Sequence, residues 1–254
     1  MNIKHSFTSE QELKDTLDFI YEKSKTGKGF NGISEAAFNE VTIIAAIHNI
    51  KSNKGANTPG IDGSRMDKYL QMDKNRLIGL IQKSIKDYKP KPVRRTYIKK
   101  ANGKLRPLGI TTVIDKIIQE CIKIIIEPIC EAKFYPQNFG FRPYRATNHA
   151  MTFAKTLINF NTPQKPVIAI EGDIEGYFGN INHRILLRKL YRKGVNDKKI
   201  IEMIKKMLIT GYVYDKEKFQ TEKGTVQGWS FRFASLLAQA FRAAAYHHYL
   251  QMYT

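Results

Sequence analysis

Residues 167–183 read VIAIEGDIEGYFGNINH, and this stretch decides how the rest of the chain is read. Its first residues, Val167, Ile168, Ala169 and Ile170, form a short apolar run rich in β-branched side chains. Closed off by Gly172, such a run has the pattern of a buried strand. Asp173 follows at once, a carboxylate at the mouth of the expected strand. An Asp there either caps its own turn by accepting a backbone N–H, or is held out to a cation that needs oxygen ligands.

The chain around it is basic. Of 254 residues, 42% are hydrophobic, enough to bury a real core in one large or two small domains. Lys and Arg number 42 against 23 Asp and Glu, a formal charge of +19 spread along most of the sequence. Charge this far from zero repels itself, and phosphate neutralisation accounts for it better than solubility alone. Nucleic acid is therefore the expected partner, ahead of an anionic membrane surface. No apolar run reaches the roughly 20 residues of a spanning helix. KIIQECIKIIIEPIC comes nearest, and Glu120 and Lys123 interrupt it. The N-terminal MNIKHSFTSEQELKD lacks the apolar region of an export signal, so a cytoplasmic protein is expected. Cys121 and Cys130 lack metal-ligand spacing and read as small buried hydrophobes of a reducing compartment.

Helical periodicity opens the chain. TSEQELKDTLDFIYEKS carries Leu13, Leu17, Phe19 and Ile20 behind a Ser9 cap with Glu12 three residues on, a capping box. ISEAAFNEVTIIAAIHNIKSNKG reads as one further helix stopped by Gly55, and KGANTPGIDGSRM as an ordered turn or a mobile loop. Helical periodicity resumes in MDKYLQMDKNRLIGLIQKSIKDYKP until Pro90. PVRRTYIKKANGKLRPLGI reads as two short strands about an Asn-Gly turn. Helices are expected near 113–129, from about 148, and over 183–193 and 198–209, with strands and a turn in GYVYDKEKFQTEKGTVQG.

Chemistry concentrates at two places. The hairpin carries Arg94, Arg95, Lys99, Lys100, Lys104 and Arg106. Residues two apart share a face of an extended chain, so Arg94, Lys100 and Arg106 can converge on one phosphate-sized region, as a triphosphate requires. The same residues also suit a solvated charged hairpin. Opposite them, Asp173 has the placement of a Mg²⁺ ligand in two-metal nucleotidyl transfer, with the Ile174 main chain as a further ligand.

NKGANTPGIDG, the segment from RRTYIKKANGKLRPLGI to GFRPYRATNHA, VIAIEGDIEGYFGNINH and GTVQG stand in the order seen in group II intron reverse transcriptases, or maturases. The chain resembles that family over about residues 52–228. The resemblance implies an α/β (α+β) fold, the fingers and incomplete palm of a right-hand polymerase. It implies a helical extension over 1–50, fingers over 51–165 and a partial palm over 166–254. Arg94, Lys100 and Arg106 match positions that hold the triphosphate of an incoming dNTP, and Asp173 the first metal-binding Asp. Phe178 matches the aromatic that excludes a ribose 2′-hydroxyl, and Gln227 the Gln lying against the nucleotide. Arg142 and Arg145 match an element that supports template and primer, as backbone-phosphate contacts or equally as structural ion-pair partners.

The departures are specific. The family usually carries Asp where Gly179 stands, a change expected to act on local structure more than on metal binding. The residues after GTVQG keep only an echo of the family in SLLAQAF, and no Tyr-x-Asp-Asp hairpin follows. Asp215 and Glu217 precede GTVQG and are not read as ligands. One Asp cannot serve two Mg²⁺ ions well, so a truncated, inactive polymerase is expected. The implied function is RNA-directed DNA polymerisation on template RNA with a DNA primer and dNTP. The alternative is a non-catalytic RNA-binding maturase-like protein, and missing palm strands make self-association an expectation.

Overall fold

The computed structural model describes residues 1, 3, 6–53, 55–99, 103–160, 172–225 and 231–242. The strand expected at 167–172, Lys100 and Gln227 lie outside the described residues, Gly172 excepted. The architecture is a mixed α/β domain in which helices surround one long helix and a small sheet sits at one side.

Helix α1, Glu10–Lys25, starts at the Ser9 cap, whose side chain accepts from the Glu12 amide. The Glu12 carboxylate reaches back to the Thr8 amide at 2.7 Å, one residue beyond the position a capping box requires. The single helix expected from residue 33 is two, α2 (Ile33–Ala37) and α3 (Glu40–Lys51). The break comes at Asn39, whose side chain caps Val41 and begins a new helix. In the same way Asp73 divides the next expected helix into α4 (Met66–Leu70) and α5 (Lys74–Lys86) by accepting from Arg76 N.

Strand β1, Val93–Lys99, pairs antiparallel with β2, Leu105–Ile110, from Arg94 opposite Ile110 to Lys99 opposite Leu105. Helix α6, Val113–Glu131, follows from a Thr112 cap and is buried on nearly every side. It packs against α1, α2, α3 and α5. Its polar residues survive burial by pairing: Lys123, 4% exposed, lies 3.0 Å from Glu120 and 3.6 Å from Glu127. Asn49 of α3 donates to the same Glu120 carboxylate at 3.1 Å. Cys121 and Cys130 are fully buried on this helix, as small hydrophobes.

Helix α7, Thr147–Phe160, leaves Met151, Leu157 and Ile158 more than half exposed. Helices α8 (His183–Arg192) and α9 (Lys198–Ile209) follow. Strands β3 (Tyr212–Tyr214) and β4 (Glu217–Phe219) are joined by Asp215 and Lys216, both at positive φ. β3 runs parallel to β1, giving a four-stranded sheet ordered β2-β1-β3-β4. Helix α10, Phe231–Arg242, packs on α6 and α8. Among the described residues no helix is long and apolar enough to cross a membrane.

Candidate nucleotide and nucleic-acid site

The pairing register sorts the basic hairpin into two faces, because directly opposed residues of an antiparallel ladder project to the same side. Arg94, Thr96 and Ile98 share one face with Arg106, Leu108 and Ile110. Arg95, Tyr97 and Lys99 lie on the other with Leu105 and Pro107. Arg94 and Arg106 are thus on the same side, with Arg106 opposite Ile98, about 13 Å along the strand from Arg94.

Arg94 is not a free side chain. Its Nε and Nη2 donate to the Pro59 carbonyl at 3.1 and 2.8 Å. Lys116 of α6 donates to the Thr58 carbonyl at 3.0 Å. Burial and the neighbouring Arg94 charge push the Lys116 ammonium below the usual lysine range, opposed by Asp62. Gly60 closes the loop onto the start of α6, where an added Cβ would lie 2.7 Å from Thr112 N. The stretch expected to be an ordered turn or a mobile loop is therefore an ordered turn, fastened by two cations.

The segment after Gly172 is held from its far end. Asp173 is exposed, and its Oδ1 accepts from the Ile174 amide at 2.9 Å, the contact of a carboxylate turned onto its own turn. Ile174 is half exposed. Gly176, in the left-handed region, enters a 3₁₀ turn at Tyr177–Asn180. Tyr177 donates its hydroxyl to the Ala238 carbonyl at 2.6 Å, anchoring the turn to α10. Phe178 packs against the core, half-buried, with its ring 5.7 Å from that of Tyr177.

Two backbone hydrogen bonds and one side-chain contact then clamp residues 178–183 to Gly224 and Thr225. Thr225 N donates to Phe178 O and Gly224 N to Ile181 O, each at 2.7 Å, while His183 Nε2 meets Gly224 O at 2.7 Å. Gly224 is required on two counts. Its φ is +86°, and a Cβ there would lie 2.7 Å from the Gly179 carbonyl oxygen. Gly179 itself faces open space, so the glycine standing where the family usually has Asp is not demanded by the backbone.

The two matched arginines of GFRPYRAT are placed differently. Arg142 is 8% exposed. Its Nε donates to both Glu131 oxygens at 2.8 and 3.0 Å, and its Nη2 to Glu131 as well. Its Nη1 donates to the Tyr135 and Asn138 carbonyls at 2.7 and 2.9 Å. Of the two roles its sequence allows, the ion-pair partner is the one this geometry describes, and little of the guanidinium is left for a phosphate. Arg145 is half-buried, donates to the Pro136 carbonyl and stands 5.4 Å from the Phe139 ring centroid. Phe141, just before Arg142, and Tyr144, between the two arginines, stand at positive φ with exposed rings.

Mg²⁺ of a two-metal centre needs several carboxylate oxygens grouped together. Among the described residues no group of three or more His, Cys, Asp or Glu side chains stands in reach of one ion. Asp173 alone does not fit such a centre.

A family model described as reverse transcriptase (RNA-dependent DNA polymerase) matches residues 98–252, more than half of the chain. The chain belongs to the reverse transcriptase family. This reverse transcriptase domain is 40% identical over 186 residues to the group II intron-encoded protein LtrA of Lactococcus lactis subsp. cremoris, covering 72% of the chain and 29% of the relative. It is 36% identical over 169 residues to protein YkfC of Escherichia coli strain K12, covering 64% and 42%. An uncharacterised 91 kDa protein in the cob intron of Schizosaccharomyces pombe matches over 89% of the chain and 28% of its own length at 30% identity. The reverse transcriptase domain thus spans less than half of each of these relatives. A solved Cas6-RT-Cas1--Cas2 complex shares the fold over 86% of the chain and 22% of its own, with a TM-score of 0.53 at 19% identity.

The basic strands, the lone Asp and the family were legible in sequence. The Gly224 clamp was not, since a glycine at positive φ carries no mark distinguishing it from other loop glycines. The alternation of RRTYIK places Arg95 on the face opposite Arg94, beside Tyr97 and Lys99.

Proposed function

We propose that this domain is the fingers and first part of the palm of a group II intron-type RNA-directed DNA polymerase. In this reading it grips template RNA with its basic fingers, and Arg94, Lys100 and Arg106 hold the triphosphate of a dNTP. Phe178 lies against the sugar, Gln227 against the nucleotide, and Asp173 with the Ile174 main chain contributes to Mg²⁺ binding once further carboxylates are supplied. The chain's own part is to position the nucleotide, and Arg145 to contact the nucleic-acid backbone. One observation carries the reading: Arg94 and Arg106 share a face of the hairpin in a chain matched by the reverse transcriptase family over residues 98–252.

A second reading, a non-catalytic maturase-like RNA-binding protein, is favoured by the absence of an acidic cluster beside Asp173 among the described residues. Mg²⁺-dependent extension of a DNA primer on an RNA template separates the two. Extension that Asp173→Ala abolishes supports the polymerase. RNA binding with a steep salt dependence but no extension supports the second reading, and weak, salt-insensitive RNA binding overturns both.

A further inference from the structure

The sheet has a second face whose chemistry the nucleotide site does not use. Arg95, Tyr97 and Lys99 alternate along β1, and Tyr212 and Tyr214 of β3 stand beside them. The Arg95 guanidinium lies 3.4 Å from the Tyr212 ring centroid. Tyr212 is stacked in turn on Phe219, 5.0 Å away at an interplanar angle of 15°. A guanidinium stacked on an aromatic that is itself packed on another ring is held in one orientation. Next along the strand, Tyr97 and Tyr214 meet edge to face at 5.2 Å and remain 41% and 44% exposed.

Beside Arg95 the sheet, Gly179 and the 220–225 segment line an open groove of about 630 Å³. Three of the residues that line it each carry a buried side-chain polar atom without a hydrogen-bond partner among the described residues: Arg95 Nε, Thr221 Oγ1 and Thr225 Oγ1. Arg95 offers only a donor, each hydroxyl can donate, and Lys223 adds a second cation against one acid, Glu222. A donor-rich, net positive groove of this kind takes an oxyanion.

We propose that the Arg95 face of the sheet is a second nucleic-acid seat, distinct from the Arg94–Arg106 face. A backbone phosphate of a single strand lies in the groove against the Arg95 guanidinium and the Lys223 ammonium. A neighbouring base packs on the exposed Tyr97–Tyr214 pair, and Lys99 screens the next phosphate. A single strand is the occupant because its bases are free to stack on aromatic side chains, whereas a duplex keeps them paired.

The test is fluorescence anisotropy of a labelled 12-nucleotide single-stranded RNA on the whole chain across a salt series. Arg95→Ala is expected to weaken binding about tenfold and to flatten the log–log salt slope by about 0.7, the value for one lost phosphate contact on a single strand. Tyr97→Ala is expected to weaken binding at least about fivefold with the slope unchanged. Arg95→Lys retains the slope but not the affinity. Lys198→Ala, an exposed charge on α9, is the control for net charge alone. Photocrosslinking of 4-thiouridine RNA to the unmodified protein avoids any folding defect, and adducts within 93–99 or 211–225 are expected. Arg95→Ala behaving as Lys198→Ala does, or adducts confined to other peptides, overturns the proposal. Neither readout depends on nucleotide addition, so failure of the polymerase reading leaves this test intact.

Discussion

Replacing Arg142 by Ala separates the two roles its position allows. Its guanidinium forks onto Glu131 and holds the Tyr135 and Asn138 carbonyls, with side-chain exposures of 5% for Arg142 and 15% for Glu131. Removing one member of a pair this buried strands the other charge, a loss of about 3–5 kcal/mol. At about 2–4 °C per kcal/mol for a chain of this size, the melting temperature falls by about 6–20 °C. The loss exceeds that of an exposed ion pair because water cannot resolvate Glu131 in place. The double variant Arg142→Ala with Glu131→Ala is expected to recover part of it, since no unpaired carboxylate remains. Thermal unfolding followed by circular dichroism measures both variants, and RNA anisotropy measures the salt slope. An Arg142→Ala protein that melts normally but loses about 0.7 of salt slope would refute the structural role and place this side chain on a phosphate.

Three further outcomes are expected. Gly224→Ala forces a Cβ to within 2.7 Å of the Gly179 carbonyl at a φ of +86°, so the 172–180 segment should exchange its amide hydrogens faster while α6 remains protected. Burial raises the Asp115 carboxyl above its ordinary value, against hydrogen bonds from Thr112, Tyr88 and the Lys91 amide. The folded state therefore holds the Asp115 proton more tightly than the unfolded chain. Stability from this group is full below about pH 4 and is lost as pH rises through the elevated value. The difference in urea midpoint between the native protein and Asp115→Asn should accordingly shrink as pH rises from about 4, and a difference growing with pH would contradict the burial argument. Leu157→Glu with Ile158→Lys, both on the exposed apolar side of α7, should leave the melting temperature within about 1 °C and reduce self-association in sedimentation velocity.

Local patterns carried far. The Ser9 cap, the apolar periodicity of α6, the length of α9 and the pairing of β1 with β2 all follow from short-range rules, because each depends on residues close to one another in sequence. Where the reading failed locally it failed at competing signals. Asn39 and Asp73 are polar residues inside helical runs, and each starts a new helix because its side chain meets backbone amides better than solvent does. Charge, family and the isolation of Asp173 from any Asp-Asp pair were likewise present in the residues themselves.

Tertiary structure decided what those residues face. Whether Arg142 grips Glu131 or a phosphate, and whether Arg94 is free or donates to Pro59, depends on groups distant in sequence or loops whose path no propensity determines. The same holds for Gly224 against Gly179 and for the groove beside Arg95, lined by segments more than a hundred residues apart that carry three buried polar atoms without partners among the described residues. Sequence determines which groups a chain possesses and their local geometry, since those are short-range properties. Only the packed chain determines which of them remain unsatisfied, because satisfaction is a property of pairs.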